Sequence, residues 1–173
     1  QITMTQYMRV HQRLSLASPG ALAVADGMRW ARDPVPSLST PQACHVYDPI
    51  QLSHWGMPNK PAWKTPKWPL KMGKTNIWDR ARLVKEFAPW VALKQTGISV
   101  HIGEIGFYRT VPYEVGIAWM TDWVSIFKQH GVGYALWGRY GNFGLLDVKR
   151  PGMTPAPFHG HQLDQRMWQV LKP

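Results

Sequence analysis

The sequence predicts an α/β chain built on a parallel sheet, and three observations carry that prediction. Short, continuously apolar segments alternate with longer amphipathic ones. Glycine stands at the ends of the longer segments, where helices stop. The short segments are too apolar for strands with one wet face, so both of their faces are expected to be covered. With 173 residues, 45% of them apolar, the chain has material for the core of a single domain without metals or disulfides. The one cysteine, Cys44, excludes an internal disulfide.

The elements follow in order. Met4, Tyr7, Met8, His11, Leu14 and Leu16 recur near helical spacing, and Ser18-Pro19-Gly20 stops that helix. Ala21-Leu22-Ala23-Val24-Ala25 predicts a strand buried on both faces, ending at Asp26-Gly27. Cys44-His45-Val46-Tyr47 predicts a second strand, closed by Asp48-Pro49. From Trp55 to Trp78 the chain is rich in Pro, Trp and Lys without a usable period, and this length is expected to be a functional excursion. Asp79 can cap a helix carrying Ala81, Leu83, Val84, Phe87 and Trp90. Pro89 is expected to kink or end its regular part, and Gly97 to stop it. Ile98 to Glu104 predicts the third strand. Pro112 to His130 predicts the next helix, with Pro112 suited to its first turn and Gly131 closing it. Tyr134-Ala135-Leu136-Trp137 predicts the fourth strand, and Leu163, Met167, Val170 and Leu171 mark a final amphipathic helix.

A right-handed series of such units closes into an eightfold barrel or remains an open doubly wound sheet. Only four strands are visible, and a complete barrel typically takes ~250 residues. On the barrel reading, 173 residues are about half of one. The net charge of +10 first suggests nucleic acid, membrane headgroups or acidic polysaccharide. The distribution argues for a solvated basic face instead. Lysine and arginine are scattered, and Trp, Pro and Thr interrupt even the densest stretch, Lys60 to Lys74. With 17% charged residues the surplus reflects few acids more than many bases, so a nucleic-acid partner is not expected. No apolar run approaches the ~18 residues of a membrane span, and Gln-Ile-Thr-Met lacks a signal pattern, so no membrane partner is expected either.

In a parallel barrel, functional groups lie where strands end. Glu104 is an isolated carboxylate at the exit of an apolar strand, between Gly103 and Gly106, which are expected to permit close substrate approach; the alternative is a surface glutamate in a turn. His45 and Tyr47, two apart on a strand, share a face, which in a barrel is the interior. A phenol hydroxyl there could hold a neighbouring carboxylate ionised, or the pair could be satisfied core. Trp137 could offer a flat face to a sugar ring or fill the core. His159-Gly160-His161 lacks partners for zinc, Gly103 and Gly106 lack the spacing of a phosphate loop, and no Gly-x-Ser-x-Gly turn occurs. No metal or cofactor is expected.

Taken together and in order, these segments resemble glycoside hydrolase family 5, the cellulase-like clan of eightfold barrels. Leu22 to Gly27 looks like the family's fifth strand, and Cys44-His45-Val46-Tyr47-Asp48-Pro49, with His54 following, resembles its sixth-strand His-x-Tyr motif. Val100 to Gly106 looks like the seventh strand, whose glutamate is the family's nucleophile. Tyr134 to Trp137, followed by Gly144-Leu145-Leu146-Asp147, resembles the eighth strand and its loop, and His161-Gln162-Leu163-Asp164 fits the start of the closing helix. The resemblance covers nearly the whole chain from Asp26 onward. It implies a partial (β/α)8 barrel, a single partial domain over residues 1–173, acting on a β-linked polysaccharide or oligosaccharide. Glu104 would be the nucleophile of a retaining, cellulase-like endo-β-1,4-glycanase. His45 and Tyr47 would orient substrate and nucleophile, and Trp137 would be the sugar platform. Trp30, or tryptophans between Trp55 and Trp78, could extend the cleft.

Retaining hydrolysis needs two carboxyl groups ~5–5.5 Å apart. The family's acid/base lies in an Asn-Glu pair at the end of the fourth strand, and no Asn-Glu dipeptide occurs in this chain. Its other glutamates, Glu86 and Glu114, are placed within or at the start of helices. Residues 1–17 are therefore expected to be the helix after a fourth strand that is not present, making the chain a carboxyl-terminal half-barrel without a complete active site. Two open strand edges are expected to pair with an N-terminal half-barrel or to self-associate. The alternative class is a non-catalytic glycan-binding half-barrel remnant using the same aromatics.

Overall fold

The computed structural model describes residues 9, 10, 12, 13, 16–18 and 20–172. Along the chain the elements are β1 (Ala25–Asp26), α1 (Met28–Ala31), β2 (Gln42–Val46), α2 (Ile50–Ser53), β3 (Leu70–Lys71), β4 (Ile77–Trp78), α3 (Arg80–Gln95), β5 (Val100–Ile105), α4 (Tyr113–Gln129), β6 (Gly133–Leu136), β7 (Ala156–Phe158), β8 (His161–Leu163) and α5 (Gln165–Leu171). Strands β1, β2, β5 and β6 form one parallel sheet in that spatial order. The predicted α/β class and parallel pairing are thus observed.

Alternation along the strands decides what each face does. Cys44 and Val46 of β2, and Val100, Ile102 and Ile105 of β5, are buried in the main core. Helix α3 meets them with Leu83, Phe87, Trp90 and Leu93, a spacing that keeps all four on one face. Helix α4 adds Ile117, Met120, Val124 and Phe127 in the same way. Phe87 seats edge-on against Trp123 at 6.2 Å between ring centroids and tilts against Phe127 at 5.5 Å. Each such buried side chain contributes roughly 1.5–3 kcal/mol. Asp79 caps α3 by accepting from the Arg82 amide, as its position predicts.

Several expectations are corrected. The strand expected over Ala21–Ala25 is only Ala25–Asp26, and Leu22 and Val24 are exposed. The cause is its place at the sheet edge, where β1 has a strand partner on one side only. Helix α3 runs on through Pro89 to Gln95. Pro89 and Lys85, whose carbonyl loses its helical donor, are both exposed residues, so the interruption falls on the side of α3 away from the core. Pro112 stands just before α4 as its N-cap. The excursion from Trp55 to Trp78 forms the antiparallel pair β3–β4, and Trp55, Trp68 and Trp78 pack against the core. Trp68 also donates to Asp122 of α4 at 2.8 Å, which ties the excursion to that helix. Of the helix expected over residues 4–17, Met4, Tyr7, Met8, His11 and Leu14 lie outside the described residues, while 9, 10, 12, 13, 16 and 17 are helical.

Candidate active site

Asp26, Tyr47, Glu104 and Trp137 all lie at or just past the carboxyl ends of the four parallel strands. A β-bulge brings Glu104 to the right face. The β2–β5 register passes from Cys44 opposite Ile102 to His45 opposite Glu104, skipping Gly103. Against β6, the register likewise passes from Ile102–Tyr134 to Ile105–Leu136. Strand β5 therefore carries one extra residue relative to both neighbours. Strict alternation would send Glu104 to the helix side with Ile102; the bulge turns it to the face of His45 and leaves Ile105 in the core.

There Glu104 is held on both oxygens. The Tyr47 hydroxyl donates to Oε2 at 2.8 Å, and His45 Nδ1 lies 3.4 Å from Oε1. On its other side His45 Nε2 faces Asp26 Oδ1 at 3.5 Å. Burial, followed by the hydrogen bond to Glu104 and its charge, raises the Tyr47 phenol far above its ordinary range. It is a permanent donor to the carboxylate. Of the two glycines near Glu104, a Cβ at Gly103 would meet Ala43 and His45 at 3.5 Å, and one at Gly106 would meet the Phe143 ring at 3.4 Å.

His54, whose sequence position follows the His-x-Tyr motif, forms part of the same wall. Its ring meets Tyr47 edge-on at 5.0 Å and Phe143 at 5.3 Å. The Ser53 hydroxyl spends its proton on the Tyr47 carbonyl at 2.5 Å, so the 2.8 Å contact between Ser53 Oγ and His54 Nδ1 requires Nδ1 to donate. His54 Nε2 is then the acceptor. Burial, with a smaller contribution from Lys60, lowers the His54 pKa to about 4, which keeps the ring neutral.

Glu104, His45, Tyr47 and His54 line one cavity of about 570 Å³ together with Trp30 and Lys60. The structure thus joins three of the four predicted site residues. Trp137 stands apart from this cavity, one residue past β6 and half-exposed, with its amide bonded to the Ile105 carbonyl at 2.8 Å. Glu86 pairs with Arg82 on α3 and Glu114 pairs with Arg166, and neither lines the cavity of Glu104.

Sequence reasoning missed what fixes the loop after β6. Arg150 is fully buried and donates to Gly144 O at 2.9 Å and to Asp164 at 3.2 Å, with its guanidinium over the Phe107 ring. Asp164 also accepts from the Tyr113 hydroxyl and the Met167 amide. This anchors the segment bearing Phe143, the ring behind Tyr47 and His54.

This parallel α/β arrangement is the fold of solved glycoside hydrolases. One, described only as a glycoside hydrolase, superposes with a TM-score of 0.89 at 25% identity over 96% of this chain and 52% of its own. The Thermotoga maritima Cel5A complex with mannotriose gives 0.73 at 18% identity over 97% of this chain and 53% of its own. The complex of the same enzyme with cellobiose gives 0.74 at 17% identity over the same shares, 97% and 53%. The chain spans about half the length of these structures. No protein-family profile and no curated protein matches it.

Proposed function

We propose that the chain is the carboxyl-terminal half-barrel of a retaining, cellulase-like endo-β-1,4-glycanase, with Glu104 as its nucleophile. The observation that carries this reading is the bulged end of β5, which presents the Glu104 carboxylate to a cavity with Tyr47 donating to it. A nucleophilic carboxylate must be ionised, held in one orientation and open to the anomeric carbon. Tyr47 and His45 orient it, and neutral His54 walls the cavity with an acceptor for sugar hydroxyls. Trp137 serves as the sugar platform beyond β6. Attack of Glu104 forms a bond to the anomeric carbon as the glycosidic C–O bond breaks, and the leaving oxygen takes its proton from the second carboxyl group.

That second group comes from the other half of the barrel, which also covers the open edges of β1 and β6. The chain alone therefore releases no reducing sugar from cellulose or mannan. An activated aryl glycoside separates the two roles, because its leaving group needs no acid. With 2,4-dinitrophenyl β-cellobioside the chain is expected to give a burst of dinitrophenolate that Glu104→Gln abolishes. Release of reducing sugar from polysaccharide by the chain alone, abolished by the same variant, would overturn the half-site reading. That no second glutamate lines the Glu104 cavity among the described residues also favours a second reading, a non-catalytic glycan-binding remnant. It predicts normal glycan affinity in Glu104→Gln and no burst in either form.

A further inference from the structure

The side of the cavity away from β5 has two features that the nucleophile's geometry does not use. The first is α1. Arg29, Trp30 and Ala31 have φ of 51°, 60° and 56°, three successive residues in the left-handed region, which side chains other than glycine resist. The turn is held from all sides. Arg29 pairs with Asp33, the Met28 amide bonds to Asp33 O at 2.8 Å, Ala31 is buried, and the Trp90 indole donates to Arg32 O at 2.8 Å. Gly27 lets the turn lie against Trp90, whose ring would sit 2.7 Å from an added Cβ. All this constraint presents one indole, Trp30, 87% exposed, at the wall of the cavity. Strain of this kind persists where the surroundings over-determine it, and it fixes what it presents.

The second feature is Lys60. Its loop is pinned as firmly: Thr110 Oγ1 donates to Trp55 O at 2.7 Å, the Trp55 indole donates to Trp63 O at 3.0 Å, and the Lys60 amide bonds to Met57 O at 3.0 Å. Of the other charged groups lining the cavity, Arg32 is paired with Asp48, and Glu104 is held by Tyr47 and His45. Lys60 is the lining cation that no carboxylate meets among the described residues.

We propose that Trp30 and Lys60 form a subsite for an acidic sugar unit, its ring stacked on the indole and its carboxylate paired with the ammonium. This rests on the glycan reading above and names a substrate class within it, a β-glycan bearing uronic acid. An indole on a rigid turn offers a sugar ring a flat apolar face at little ordering cost. A neutral sugar in the same position would leave the Lys60 ammonium partly desolvated without a counter-ion.

The test compares cellotetraose with its C6-oxidised counterpart, cellotetraouronic acid, by titration calorimetry on the full chain. The acid is expected to bind up to about fivefold tighter at low salt, the upper range for a partly exposed ion pair, and to lose that advantage as salt rises. Lys60→Met is expected to bring the acid's affinity down to that of the neutral sugar, and Trp30→Ala to weaken both ligands by the same factor. If cellotetraose binds and the acid has no advantage, or if Lys60→Met keeps the preference, the acidic-sugar inference is overturned while the glycan reading stands. If neither binds, the glycan reading fails and takes the inference with it.

Discussion

Replacing Arg150 by methionine tests how the loop behind the cavity is held. Both Arg150 and Asp164 side chains are fully buried, so the substitution leaves a buried carboxylate without its counter-ion. Asp164 keeps the Tyr113 hydroxyl at 2.5 Å and the Met167 amide at 3.0 Å, but Gly144 O loses its 2.9 Å donor. Removing one partner of such a pair costs about 3–5 kcal/mol. For a chain of this length that lowers Tm by roughly 6–20 °C, at about 2–4 °C per kcal/mol. The assay is urea unfolding followed by fluorescence of the ten tryptophans. The control is Asp164→Asn in the same background, which removes the unpaired charge while keeping a cap acceptor. It is expected to recover part of the loss, a coupling of at least about 1 kcal/mol in the double-mutant cycle. An Arg150→Met chain within about 1 kcal/mol of the parent, or additive effects of the two substitutions, would refute the reasoning.

Two further outcomes follow from the site. Tyr47→Phe removes a hydrogen bond to a charged group, worth about 1.5–3 kcal/mol, and is expected to slow the dinitrophenolate burst by roughly 10–150-fold; an unchanged burst rate would show that Tyr47 does not orient the nucleophile. His54 is neutral in the folded chain down to about pH 4, whereas in the unfolded chain it titrates near 6.5. Between those values the unfolded state binds more protons, so stability falls as pH drops from about 6.5 towards 4. His54→Gln is expected to flatten that part of the profile of urea midpoint against pH, and an identical slope in the variant would contradict the assignment.

The parts of this architecture that sequence discloses are those governed by local chemistry. Strand β5 is legible because Val100, Ile102 and Ile105 are apolar and bounded by turns, and α3 because Asp79 is a side-chain cap. His45 and Tyr47 share a face for the same local reason, the two-residue period of a strand. Arrangements that depend on tertiary partners are not legible in this way. A buried Arg150 reads like any surface arginine until Asp164, Gly144 and Phe107 surround it. The bulge that aims Glu104 arises from pairing on both sides of β5, and only Gly103 hints at it. The left-handed turn under Trp30 has no glycine among Arg29, Trp30 and Ala31, so nothing local announces it. At β1 the apolar run Ala21–Ala25 misled, because only its last residue pairs with β2, and Leu22 and Val24 before it are exposed.

The central claim is that Glu104 attacks an anomeric carbon, and covalent trapping tests it most directly. Incubation with 2,4-dinitrophenyl 2-deoxy-2-fluoro-β-cellobioside, whose leaving group departs without acid and whose fluorine slows breakdown of the intermediate, is read by intact mass and peptide mapping. The account predicts one 2-fluorocellobiosyl group per chain, on the peptide containing Glu104, and none in Glu104→Gln. No adduct on the parent chain, or an adduct on another residue, would contradict it.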